Sequence, residues 1–380
     1  MHDIIVAGAG IWGCTVARIL AEAGRNVRLF EARSVVGGNV RCEIDRDSGI
    51  EIHTYGSHIF HTSIPEVWNF VNRFVTFNGY QHKVLAKHGN EMYFLPLGLA
   101  LVNQFYKLNL SPSELPGFIA KESTFSGKPE NFEEQAISFV GEKIYNAFIR
   151  NYTAKQWGCD PKELSAEIIK RLPVRTSYDL NYFSDYNQGI PLTGYNSLFE
   201  RLLDHENISV ELDRAFTFED IEKFKDGKVF YSGPIDQLFA YKFGALPWRS
   251  LRFELQRVKV ADFQGASVVN YVDDDVEFTR QHEYKHYHPE KKEVMARQET
   301  VICREYPKAW VKGDEPYYPV DNEESRLLLS KYVQEAARYP NLTIGGRLGQ
   351  YKYFDMDKSV DSALKTAREF IEGQKRSRHA

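Results

Sequence analysis

Asp3-Ile4-Ile5-Val6-Ala7-Gly8-Ala9-Gly10-Ile11-Trp12-Gly13 begins the most informative stretch of the chain, which closes at Glu31. Asp3 to Ala7 is a short β-branched run, Ile11 to Ala23 spaces its apolar residues at helical period, and Asn26 to Glu31 returns to a strand pattern. Gly8, Gly10 and Gly13 therefore form GxGxxG between a strand and a helix, with Glu31 lying 18 positions beyond Gly13. Glycines there allow a tight turn and close backbone approach, the helix N-terminus offers free N–H groups to a pyrophosphate, and an acidic residue accepts from ribose hydroxyls. Strand, helix and strand predict an α/β fold built on a Rossmann-like dinucleotide-binding domain. The acid at 31 disfavours a phosphorylated ribose.

Working outward, a 380-residue chain with 43% hydrophobic and 14% aromatic residues can bury two or three domain cores. Its 48 basic and 52 acidic residues leave a net charge of -4, so no global field draws it to nucleic acid or to an anionic membrane. Any polyanion must be gripped by local arginines. The cysteines Cys14, Cys42, Cys159 and Cys303 have neither CxxC spacing nor the density of a disulfide framework, so no metal is expected and a reducing cytoplasm fits. No signal peptide and no membrane-spanning stretch is read.

From Pro65 to about Lys170 the pattern is mostly helical, with periodic segments at Pro65 to Phe74, Ser111 to Lys121, Asn131 to Val140 and Glu142 to Arg150. Lys228 to Ser232 reads as a buried strand, and Leu251 to Val260, Ala266 to Val272 and Glu299 to Tyr306 as an antiparallel sheet. Asn341 to Gly345 adds a strand, and Asp357 to Gly373 a helix with Asp357 as its N-cap. The expected partition is a discontinuous dinucleotide domain over 1–78, 192–243 and 319–380, an inserted helical domain with a mobile lid over 79–178, and a sheet domain over 179–191 and 244–318.

Arg33 and Gly37-Gly38-Asn39, just past the ribose acid, resemble the FAD-binding fold of glutathione reductases and amine oxidases. That resemblance implies FAD, held by Gly8, Gly10, Gly13, Glu31, Arg33, Gly38 and Asn39. It also places Gly346, Arg347, Asp355 and Met356 where the chain returns to the flavin ring.

Longer strings are similar to UDP-galactopyranose mutases: Tyr55-Gly56-Ser57-His58-Ile59-Phe60-His61-Thr62, Tyr152-Thr153-Ala154-Lys155-Gln156-Trp157-Gly158, Lys170-Arg171-Leu172-Pro173-Val174-Arg175, and Gly346-Arg347-Leu348-Gly349. The family resemblance implies an isomerase that converts a UDP-sugar between pyranose and furanose forms. It implies FAD that is active when reduced, with N5 as nucleophile at the anomeric carbon and UDP as leaving group. In agreement, the chain carries no GxSxG or cysteine-nucleophile signature.

By the same resemblance Arg171 and Arg280 clamp the diphosphate, since a guanidinium binds phosphate oxygens bidentately. Tyr182, Tyr318 and Tyr353 add phenolic donors near phosphate and sugar, Tyr152 and Trp157 face the uracil, Asn270 is a further substrate-binding candidate, and Arg347 and Asp355 hold the flavin or the sugar from the C-terminal side. His58 meets the flavin as a catalytic residue and His61 is structural. The segment from Gly158 to Asp185 is the expected lid carrying Arg171.

Three positions depart from the family pattern. His82 stands on the substrate side where asparagine is common, Ser57 replaces an alanine or proline, and Thr176-Ser177 replace a frequent aromatic. They leave galactose, N-acetylgalactosamine or a 6-deoxy hexose open as the sugar, and uracil or thymine as the base. An FAD-dependent oxidase or desaturase of the same fold, and a catalytically silent nucleotide-sugar-binding flavoprotein, are the competing functions. The oligomeric state, a homodimer among the options, is not encoded in these motifs.

Overall fold

A computed structural model describes residues 4–171 and 174–379, apart from the side chains of 170, 171 and 377–379. The strand Ile4–Ala7 is the centre of a five-stranded parallel sheet in the order Leu342–Ile344, Lys228–Tyr231, Ile4–Ala7, Val27–Phe30, Ile208–Glu211. Its residues alternate between two cores, Ile4 and Val6 facing one and Ile5 and Ala7 the other. A strand covered on both faces has to be apolar throughout, and none of these four is more than 4% exposed.

One face is covered by the helix Ile11–Glu22, whose Cys14, Val16 and Leu20 share a core with Val360 and Leu364 of the helix Met356–His379. The other is covered by the helix Glu323–Ala336, which starts where Asn322 Oδ1 accepts from Ser325 N at 2.8 Å. Tyr332 of that helix is fully buried beside Phe239. The chain runs from Ile4–Ala7 to Val27–Phe30 on one side and returns to Lys228–Tyr231 on the other. The carboxyl ends of the central strands therefore open at a topological switch point, where ligands of such sheets bind.

A second sheet has seven strands, in the order Tyr318–Pro319, Trp248–Val258, Thr300–Ala309, Arg280–Glu283, Val268–Tyr271, Val84–His88, Glu91–Phe94. Every pair is antiparallel except Val268–Tyr271 with Val84–His88. The helices Leu99–Tyr106, Leu115–Glu122, Phe132–Val140 and Asn151–Trp157 form the inserted layer.

Two expectations are corrected. Residues 84–94 form a hairpin of the second sheet inside the segment read as helical, turning at Gly89-Asn90 with Gly89 at φ +58°. Its strands are four and five residues long, too short for the alternation to stand out, although a two-residue Gly-Asn link is a hairpin signal. Asp357 is not an N-cap, because the last helix starts at Met356. Its carboxylate lies inside the first turn, accepting from Lys358 N at 2.6 Å and Thr62 Oγ1 at 3.1 Å.

Candidate active site

A cavity of about 780 Å³ runs from the first βα turn to the second sheet. At its outer end the glycines are demanded by geometry. Gly8 has φ +104° and a Cβ there would meet Ser232 Oγ at 2.4 Å, while Gly38, at φ +55°, would meet Gly10 Cα at 3.0 Å. No side chain caps the helix at Gly10, so its first N–H groups are left for an anion. Glu31 is 7% exposed and accepts from Ala9 N at 2.7 Å and Arg33 N at 2.9 Å.

Arg33 donates to Asn39 Oδ1 at 2.9 Å, pairs with Glu315 at 2.7 Å and lies 4.6 Å over the ring of Tyr55. Arg33 Nη1 and Asn39 Nδ2 are buried without a partner among the described residues. Two orphaned donors beside a glycine cradle and a helix N-terminus fit a dinucleotide with a pyrophosphate.

Further in, His58 Nδ1 is 2.6 Å from the carbonyl oxygen of Gly56. A carbonyl only accepts, so Nδ1 carries the proton. Burial lowers the imidazole to about 4, which keeps it neutral at pH 7 and leaves Nε2 as an acceptor. Opposite, Gly346 at φ +72° packs near Ser232, and Arg347 is pinned by the carbonyl oxygens of Tyr317 and of Pro316, the latter at 3.3 Å. Asp355 and Met356 complete this wall.

At the inner end Arg280 rises from the strand Arg280–Glu283, directly opposite Glu305 in the register and 3.4 Å from its carboxylate. Tyr152 lies behind it, its ring centre 5.9 Å from the guanidinium carbon and its hydroxyl buried without a described partner. Tyr182 and Tyr318 line the cavity, and Tyr318 stacks on the half-exposed Tyr353 at 6.0 Å. Burial drives the Tyr152 and Tyr318 hydroxyls upward, so both remain protonated donors. His82, 6% exposed, stacks on Phe183 at 5.6 Å and is lowered to about 3, burial being the main cause. Asn270 lines the cavity with Oδ1 unpartnered among the described residues.

Residues 147–353 match the UDP-galactopyranose mutase family model, and residues 6–74 match an NAD(P)-binding Rossmann-like domain. The chain is 42% identical to a probable UDP-galactopyranose mutase of Klebsiella pneumoniae, over 97% of this chain and 94% of that protein. The chain belongs to the UDP-galactopyranose mutase family. Within it, a dTDP-fucopyranose mutase of Escherichia coli is 41% identical, over 99% of this chain and all of the relative. A solved structure, of reduced UDP-galactopyranose mutase, superposes with a TM-score of 0.76, covering 98% of this chain and 96% of that one. At 17% identity that likeness speaks to the fold alone. The chain is thus an isomerase-family enzyme on a Rossmann-like scaffold. No described helix is long and apolar enough to cross a membrane.

Of the residues read from the family strings, the cavity wall gathers His58, His82, Tyr182, Asn270, Arg280, Tyr318, Arg347, Tyr353 and Asp355. Trp157 ends its helix outside that wall, and Tyr152 meets the site through Arg280. The side chain of Arg171 lies outside the described residues, as do residues 172–173 of the expected lid. Sequence reasoning missed Glu305 and His282, both in the wall and both 2% exposed. A glutamate set in the buried run Thr300 to Glu305 was the available signal.

Proposed function

We propose that this enzyme interconverts the pyranose and furanose forms of UDP-galactose or a close analogue, using FAD held along the first βα turn and active when reduced. The observation that carries the reading is the joining, in one cavity, of a dinucleotide cradle at Gly8, Gly10 and Glu31 to a guanidinium at Arg280. When bound in its reduced form the flavin supplies the nucleophile for the anomeric carbon. Arg280 holds the diphosphate as it leaves, and Arg171 is its proposed partner. The hydroxyls of Tyr182, Tyr318 and Tyr353 donate to phosphate or sugar oxygens. Nε2 of the neutral His58 accepts or holds a proton on the cavity side. Free cysteines, with Cys14, Cys42 and Cys303 buried, support a cytoplasmic setting.

An oxidase or desaturase of this fold would need no cation clamp, and a silent binding protein would need no proton acceptor beside the cofactor. Reduced protein incubated with UDP-galactofuranose, with products separated by chromatography, tests the reading. Absence of UDP-galactopyranose, with every other nucleotide sugar equally inert, would refute it.

A second substrate, a thymidine-linked 6-deoxy hexose, is favoured by the full-length dTDP-fucopyranose mutase relative and by His82 in the wall. Competition between UDP-galactofuranose and dTDP-fucofuranose for the reduced enzyme ranks the two.

A further inference from the structure

Behind Arg280 runs a chain of hydrogen bonds that the proposed reaction leaves unused. Tyr287 donates to Ser57 Oγ at 2.5 Å, Ser57 Oγ is 2.7 Å from His282 Nδ1, and His282 Nε2 is 3.2 Å from Glu305 Oε2. The other oxygen of Glu305 faces Arg280 Nη1 at 3.4 Å. Tyr287, His282 and Glu305 are each at most 2% exposed.

The polarity of the chain is set from the carboxylate. Burial opposes ionisation of Glu305, but Arg280 and His282 together hold it below the usual carboxylate range. An ionised carboxylate only accepts, so His282 Nε2 donates to it. At the other end Ser57 Oγ accepts from Tyr287, which leaves the Ser57 proton to be donated to His282 Nδ1.

Alone against a guanidinium, a buried carboxylate would both aim it and compete with a phosphate for it. A donor on the far oxygen turns the carboxylate so that one oxygen meets Arg280 and the other is engaged elsewhere. Ser57 extends this hold to the loop of His58, whose Nδ1–H closes on Gly56. A single run of hydrogen bonds thus joins the His58 loop to the guanidinium.

We propose that Ser57 and His282 are positioning residues for the nucleoside-diphosphate clamp, orienting Glu305 so that Arg280 points into the cavity. The proposal rests on the mutase reading. It concerns a linkage through Ser57, a position where the chain departs from the family strings.

The test uses the full-length, FAD-loaded protein and titrates UDP and dTDP by calorimetry, with KM and kcat measured in parallel. His282→Leu removes both links and raises the Kd for the nucleotide by about tenfold or more, because a hydrogen bond to a charged group is lost. Ser57→Ala raises it about threefold. His282→Gln stays within about threefold of the parent, since its amide still reaches Glu305. KM follows Kd in each variant, while kcat changes less and the flavin absorbance does not move. A merely structural role would alter the flavin spectrum and treat His282→Gln like His282→Leu. Should His282→Leu fail to fold, Ser57→Ala, which deletes one oxygen, carries the test alone. Parent protein that binds nucleotide while Ser57→Ala and any folded His282→Leu bind it equally well overturns the relay only. Parent protein that binds neither nucleotide overturns the mutase reading and the relay together.

Discussion

A Cβ on Gly13 would lie 1.9 Å from the carbonyl oxygen of Gly8. Contact that close with backbone cannot be relieved by a rotamer change, so the turn and the helix must separate. Gly13→Ala is expected to weaken FAD binding by about a hundredfold, the effect of an overpacking cost of a few kcal/mol. Flavin absorbance per mole of purified protein measures it, and full flavin content in that variant would contradict the account of the cradle.

In the proposed reaction Arg280 grips the diphosphate with a fork that a lysine cannot reproduce. Arg280→Lys keeps the charge and loses the bidentate geometry, so kcat/KM is expected to fall by about a hundredfold while flavin content is kept. Turnover of UDP-galactofuranose by reduced protein reads this out, and a loss below about fivefold would show that charge alone suffices.

Acid should destabilise the fold early. Burial lowers His53 and His82 to about 3 and His58 to about 4, whereas an unfolded histidine titrates near about 6.5. Between about pH 6.5 and 4 the unfolded chain therefore binds more protons than the folded one, and stability falls as pH falls. Each fully buried histidine contributes up to about 1.4 kcal/mol per pH unit in that window. The thermal midpoint is expected to drop steadily from pH 7 to pH 5, and His82→Asn should make that slope shallower. A midpoint constant over the window would count against neutral buried rings.

The same substitution bears on substrate choice. His82 is fixed by Tyr80, whose hydroxyl is 3.2 Å from Nδ1, and by Phe183 on its flat side. Replacing this ring with the asparagine common at the position opens space and adds an amide. The ratio of kcat/KM for UDP-galactofuranose over dTDP-fucofuranose is expected to rise by about tenfold. An unchanged ratio would remove His82 from the determinants of specificity.

How far the sequence reached depended on how local each feature is. The first βαβ unit was legible because its glycines and Glu31 all act within one short stretch and their spacing carries the physics. The proposed clamp rests on the long family strings alone, since a strand arginine such as Arg280 carries no local mark of a function. Glu305 escaped because its partner Arg280 is 25 positions away and the two meet only through antiparallel register. Ser57 and His282, 225 positions apart, show the same limit more sharply. Trp157 rests on its family string alone, and the helix Asn151–Trp157 sets it outside the described cavity wall.

The packing of Ile11–Glu22 beneath Met356–His379 has a consequence for biosynthesis. This helix buries its apolar side, through Cys14, Val16 and Leu20, against residues translated more than three hundred codons later. Until then that surface is open to chaperones, and a nascent chain has its phosphate cradle half-built with no wall at Arg347 or Met356 to retain a cofactor. Flavin loading is therefore expected to follow translation, and partial chains released early to be colourless.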